Sequence, residues 1–97
     1  MKRIRWSDTA LSDYDEQINY IALQNRTNAG LVADRIENAV ANLQDMPTGR
    51  KGRVAGTFEK IVHRTRLIIA YRFEANGDTT ILRIIHGARR WREGQWP

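Results

Sequence analysis

Arg72, Arg83, Arg89, Arg90 and Arg92 crowd the C-terminal part of the chain together with one histidine, His86. Phosphoryl chemistry on RNA needs cations to stabilise the developing charge and a base to activate the 2′-hydroxyl. In that version Arg83 and Arg72 stabilise phosphate and His86 is the base, with His63 second in line. In a non-catalytic version Arg83, Arg89, Arg90 and Trp91 form a surface that grips a target, since the guanidinium fork suits carboxylate and phosphate alike. A second basic group, Arg50, Lys51 and Arg53, lies in a glycine-rich stretch and could hold phosphates through backbone N–H groups and cations. A turn with solvated charges explains it equally well. Trp91 and Trp96 can stack on bases or pack against the sheet edge. Glu59 could neutralise part of the arginine cluster on the sheet.

Other chemistries lack their residues. The chain has no cysteine, so disulfide frameworks and zinc–thiolate sites are excluded. The two histidines are far apart in sequence, and no P-loop, GxGxxG, HExxH or GxSxG is present. Neither a metal nor a cofactor is expected. Ser7 reads as a helix cap rather than a nucleophile, and the carboxylates that follow it read as a solvated helix face. The longest apolar runs are only four or five residues, as at 67–71, which suits a cytosolic protein.

The charge is uneven. The 97 residues carry 16 basic and 11 acidic side chains, a net +5, and thirteen of the cations are arginine. Residues 1–48 hold five basic against seven acidic residues, a balance of −2, while residues 49–97 hold eleven against four, a balance of +7. The excess lies in the second half, so the implied partner is an anion, either nucleic acid or an acidic protein segment.

The elements that must position these residues follow from periodicity. Residues 2–6 alternate as a short edge strand, Ser7 offers an N-cap and Asp8 a first-turn carboxylate. Leu11, Tyr14, Ile18, Ile21 and Ala22 make the apolar stripe of a first helix. After a break at Asn25-Arg26, Thr27 can cap a second, with Val32, Ile36, Ala39, Val40 and Leu43 as its stripe and Pro47 and Gly49 ending it. Three β-prone runs follow at 58–63, 67–73 and 79–86, with Asn76-Gly77 a two-residue hairpin signal. That turn would set Phe73 opposite Thr80, Tyr71 opposite Leu82, Ile69 opposite Ile84 and Leu67 opposite His86 on the helix-facing side. Arg72 and Arg83 then become diagonal neighbours on the other side. One domain, 1–97, results: α+β, in the order β-α-α-β-β-β, a helical hairpin on a small, mainly antiparallel sheet.

Residues 49–57 with Glu59, then 68–72, then 81–91, resemble the ParE branch of the RelE/ParE toxin superfamily. Trp6-Ser7 leading to Ala10-Leu11, and residues 18–22, fit the first helix of that family. The resemblance runs from about Ile4 to Trp91 and implies the same β-α-α-β-β-β fold. It further implies the toxin of a type II toxin–antitoxin module, neutralised in a hetero-oligomeric complex by a ParD-like antitoxin with an acidic C-terminal segment. The ParE branch implies inhibition of DNA gyrase by binding. The RelE branch implies a ribosome-dependent mRNA endonuclease, with Arg83 as phosphate stabiliser and His86 as base. The last tyrosine is Tyr71, and Lys51 and Lys60 are the only lysines beyond the N-terminus, which favours the non-nucleolytic branch. A non-toxic nucleic-acid-binding module, using the basic loop and the tryptophans, is the third reading.

Overall fold

The computed structural model describes residues 3–45, 49–87, 92 and 94–97. Its elements are β1 (Ile4–Trp6), α1 (Asp8–Gln24), α2 (Arg26–Asp45), β2 (Arg50–Lys51), β3 (Phe58–Ile61), β4 (Leu67–Phe73) and β5 (Thr79–His86). They form a five-stranded sheet in the order β1-β5-β4-β3-β2, antiparallel except where β1 runs parallel to β5. The two helices lie on one face. The expected order is observed with one addition: Arg50 and Lys51 of the basic loop form the edge strand β2, opposite Glu59 and Phe58.

Ser7 starts α1 as expected, its hydroxyl oxygen accepting the Ala10 N–H at 3.0 Å. Asn25, not Thr27, caps α2, its side-chain oxygen accepting the Asn28 N–H at 3.0 Å. Ala10 takes a core position at 0% exposure, while Leu11 is 48% exposed, so the α1 stripe is Ala10, Tyr14, Ile18 and Ile21. The α2 stripe is the expected one, extended by buried Ala29. Against these helices the sheet presents Val62, Leu67, Ile69, Tyr71, Ile81 and Ile84. Fully burying each such aliphatic side chain stabilises the fold by about 1.5–3 kcal/mol, which lets a domain this small hold together.

The β4–β5 register departs from the two-residue turn. Gly77 lies at φ +93°, a left-handed backbone that glycine adopts without a Cβ penalty. Its N–H donates to the Glu74 carbonyl at 2.9 Å, and the Glu74 N–H donates to the Asp78 carbonyl at 2.7 Å. The loop is therefore the longer, bulged kind, and Phe73 pairs with Thr79, Arg72 with Thr80 and Tyr71 with Ile81. A second irregularity between Ala70 and Tyr71 absorbs Leu82 as an extra residue and restores Ala70–Arg83, Ile69–Ile84 and Leu67–His86. Two one-residue shifts cancel at the far end of the hairpin. Between them they swap the core residue: Ile81 is fully buried and Leu82 is only half-buried.

Candidate functional site

The bulge in β5 is where helix and sheet are fastened. Among the described residues that strand has no strand neighbour on its β1 side beyond Ile81, since β1 pairs with residues 79–81. The N-cap and first turns of α1 supply the partners there. The Ser7 hydroxyl donates to the Leu82 carbonyl at 2.9 Å, and Asp13 Oδ2 accepts the Ile84 N–H at 3.0 Å. The same carboxylate takes Arg83, with Nε donating to Oδ2 at 2.8 Å and Nη2 to Oδ1 at 3.3 Å. Both side chains are mostly buried, 18% and 13% exposed. Arg83 Nη1 donates to the Pro97 carbonyl oxygen at 2.9 Å, which ties the chain's last residues to β5. Asp13 is thus no part of a solvated face, contrary to the expectation for the α1 carboxylates. The helical pattern alone carries no sign of this, since it depends on which strand edge α1 crosses.

Arg72, Arg50 and Arg53 are engaged too. Arg72 shares the outer face with Arg83, as the strand parity requires, but its Nε donates to Glu74 Oε1 at 2.6 Å. Glu74 also accepts from the Thr80 hydroxyl, and these two bonds, the Arg72 one first, hold its carboxyl below the ordinary range. Glu59, only 2% exposed, serves the basic loop rather than the arginines of β4 and β5. It accepts the Arg53 N–H at 2.8 Å and has the Arg50 and Arg53 guanidinium groups at 3.7 and 3.8 Å. Gly49 starts that loop where a Cβ would collide with the Tyr71 hydroxyl and the Glu59 carbonyl. The stretch is therefore seated on a buried carboxylate, and a merely solvated turn does not describe it.

His86 ends β5 opposite Leu67, on the helix side of the sheet and half-buried, with parity opposite to that of Arg83 and Arg72. His63 is exposed just past β3. Arg89, Arg90 and Trp91 lie outside the described residues. Trp96 is half-buried, its indole nitrogen enclosed with no hydrogen-bond partner among the described residues. Among the described residues no group of three or more histidine and carboxylate side chains could hold a metal ion, and no helix is long and apolar enough to cross a membrane. One further carboxylate escaped the reading by type: Asp78, directly after Asn76-Gly77. It accepts from the Arg3 N–H at 2.9 Å and Arg5 Nε at 3.3 Å, clamping β1 to the hairpin.

Across this framework the family model for the ParE toxin of the type II toxin–antitoxin system, parDE, matches residues 4–91. The chain belongs to the ParE toxin family. It is 37% identical over 91 residues, 93% of each chain, to the protein Y4kP of Sinorhizobium fredii (strain NBRC 101917 / NGR234). The fold of this ParE-family chain is similar to that in the chromosomal ParDE system from P. aeruginosa, with a TM-score of 0.81 at 22% identity, covering 89% of this chain and 96% of that one. It is similar also to the RelBE2 toxin–antitoxin complex from Mycobacterium tuberculosis, with a TM-score of 0.60 at 25% identity and coverage of 91% and 93%. A YoeB/ParE toxin from Agrobacterium tumefaciens shares the fold at a TM-score of 0.59 and 13% identity, covering 87% and 96%.

Proposed function

We propose that this ParE-family toxin inhibits DNA gyrase in the cytoplasm by binding it, and that a ParD-like antitoxin with an acidic segment neutralises it. The observation that carries the binding reading is the state of Arg83. Its Nε, Nη1 and Nη2 each donate to a partner within the chain, so its charge is already balanced by Asp13. A phosphate-stabilising arginine must instead meet a charge that develops only in the transition state. The endonuclease reading also needs a base beside that cation, and strand parity separates His86 from Arg72 and Arg83. The nucleic-acid module reading loses support because Arg50 and Arg53 face Glu59.

Target contact is assigned in this proposal to Arg89, Arg90 and Trp91, which follow β5. Arg83 has a different part, fastening β5 to α1 through Asp13. Supercoiling by purified gyrase, titrated with the toxin, tests this. Supercoiling should fail at stoichiometric toxin, and Arg89→Ala with Arg90→Ala should restore it without altering the melting temperature. Normal supercoiling at a large excess of folded toxin rules out this target. Codon-phased cuts on translating ribosomes that vanish in His86→Ala would replace it with the endonuclease.

A further inference from the structure

Two concavities flank α2, and they differ in chemistry. On the β1 side a groove of about 430 Å³ is lined by Ile4, Trp6, Leu11, Tyr14 and Val40, with Glu37 the charged group among its lining residues. On the β3 side a smaller cleft of about 210 Å³ is lined by Arg35, Asn38 and Asn42 from α2 and by Lys60, Ile61 and His63 from the sheet. The three α2 residues recur at spacings of three and four, which stacks them on one shoulder of the helix beside the buried stripe. Lys60 pairs with Ile69, so parity turns it toward the helices, where an apolar side chain would continue the row of Phe58 and Val62. Ile61 is 56% exposed at the rim.

We propose that this cleft seats an acidic residue of the antitoxin, from an extended acidic peptide segment whose neighbouring aliphatic side chain covers Ile61; the proposal rests on the toxin–antitoxin reading above. The donors suit a carboxylate. Arg35 offers a planar fork, Lys60 a point charge, and the Asn38 and Asn42 amides supply neutral N–H donors on the same wall. Exposed Arg64 and Arg66, in the turn beyond His63, extend the positive field and draw an acidic segment toward the cleft. A nucleic-acid strand is the poorer fit. Among the described residues the lining holds no Trp, Tyr or Phe on which a base could stack, and the cleft has room for one or two side chains rather than a strand.

The test uses the full chain and the product of the reading frame adjacent to its gene, with affinity measured by calorimetry at two salt concentrations. Arg35→Glu should weaken the complex by about tenfold or more, the scale for losing a paired charge in an interface. Arg26→Glu, the same charge change at the far end of α2, should alter it less than about threefold. Lys60→Met, which keeps the stem and removes the charge, gives a second reading independent of how Arg35→Glu folds, and it should weaken binding and flatten the salt dependence. Unchanged affinity in both variants overturns the cleft and leaves the module intact. Failure of the neighbouring protein to bind the unaltered chain sinks the module reading, and the cleft with it. Displacement of the antitoxin by a short single-stranded oligonucleotide from the unaltered chain, but not from Arg35→Glu, overturns the proposal in favour of nucleic acid.

Discussion

Asp13 shows how one side chain decides what its neighbour can do. Its two oxygens accept from the Ile84 N–H and from two nitrogens of Arg83. Removing it leaves a mostly buried guanidinium and a strand N–H without their acceptor, and that loss exceeds the net worth of the pair. Asp13→Ala should therefore cost about 3 kcal/mol in urea unfolding. Arg83→Met removes the cation but leaves Asp13 its bond to Ile84, so it should cost less, on the order of 1–2 kcal/mol. The functional consequence follows from the same geometry. On the proposed gyrase-binding function, Arg83→Met held well below its melting temperature should still inhibit supercoiling, with any deficit matching its unfolded fraction. An Arg83→Met protein as stable as the parent but inactive would move Arg83 into the target contact.

At the scale of the element, β5 is defined by its bulge. Leu82 is the extra residue, its carbonyl bonded to Ser7, and the strand beyond it is held by Asp13. Ile81→Ala should then cost about 2–5 kcal/mol as a full core truncation, and Leu82→Ala clearly less, because Leu82 stays half-exposed. Equal costs, or the reverse order, would restore the two-residue-turn register. This is also the limit of what the sequence made legible. Strands β1, β3, β4 and β5, the helical hairpin and the α2 stripe follow from local periodicity, whereas β2 does not, and the Asn76-Gly77 signal locates the hairpin correctly. The same dipeptide serves either turn, however, and the shift at Leu82 depends on contacts about seventy residues away in sequence, with Ser7 and Asp13. The arginines were legible by type and charge. Their partners were not: Glu74 went unread beside Arg72, and Asp13 and Glu59 reach Arg83, Arg50 and Arg53 only through tertiary placement.

Over the whole molecule these bonds set a window of pH stability. The Asp78 carboxyl lies below its ordinary value chiefly because the Arg3 N–H bonds to it, with burial opposing, and Glu74 lies low through Arg72 and Thr80. A carboxyl whose pKa is lowered by folding contributes stability above its unfolded value, ~4, and loses it as the pH falls through the lower folded value. Tyr71 is pushed up by burial, and Tyr14 by burial and then by Glu37, Asp15 and Asp34. Their contribution is complete below the unfolded tyrosine pKa, ~10, and is lost as the pH rises through the higher folded values. The melting temperature should form a plateau between about pH 5 and pH 9 and fall on both sides. Acid also strips the counter-charge from a chain that already carries +5, so general repulsion steepens that limb, and salt relieves it. Salt does not restore the specific bonds at Asp78. Melting curves at high salt should therefore retain an acid limb in the parent chain, flattened in Asp78→Asn, while Tyr71→Phe flattens the alkaline limb alone. An acid limb that disappears entirely with salt would assign it to net charge and remove Asp78 from the account.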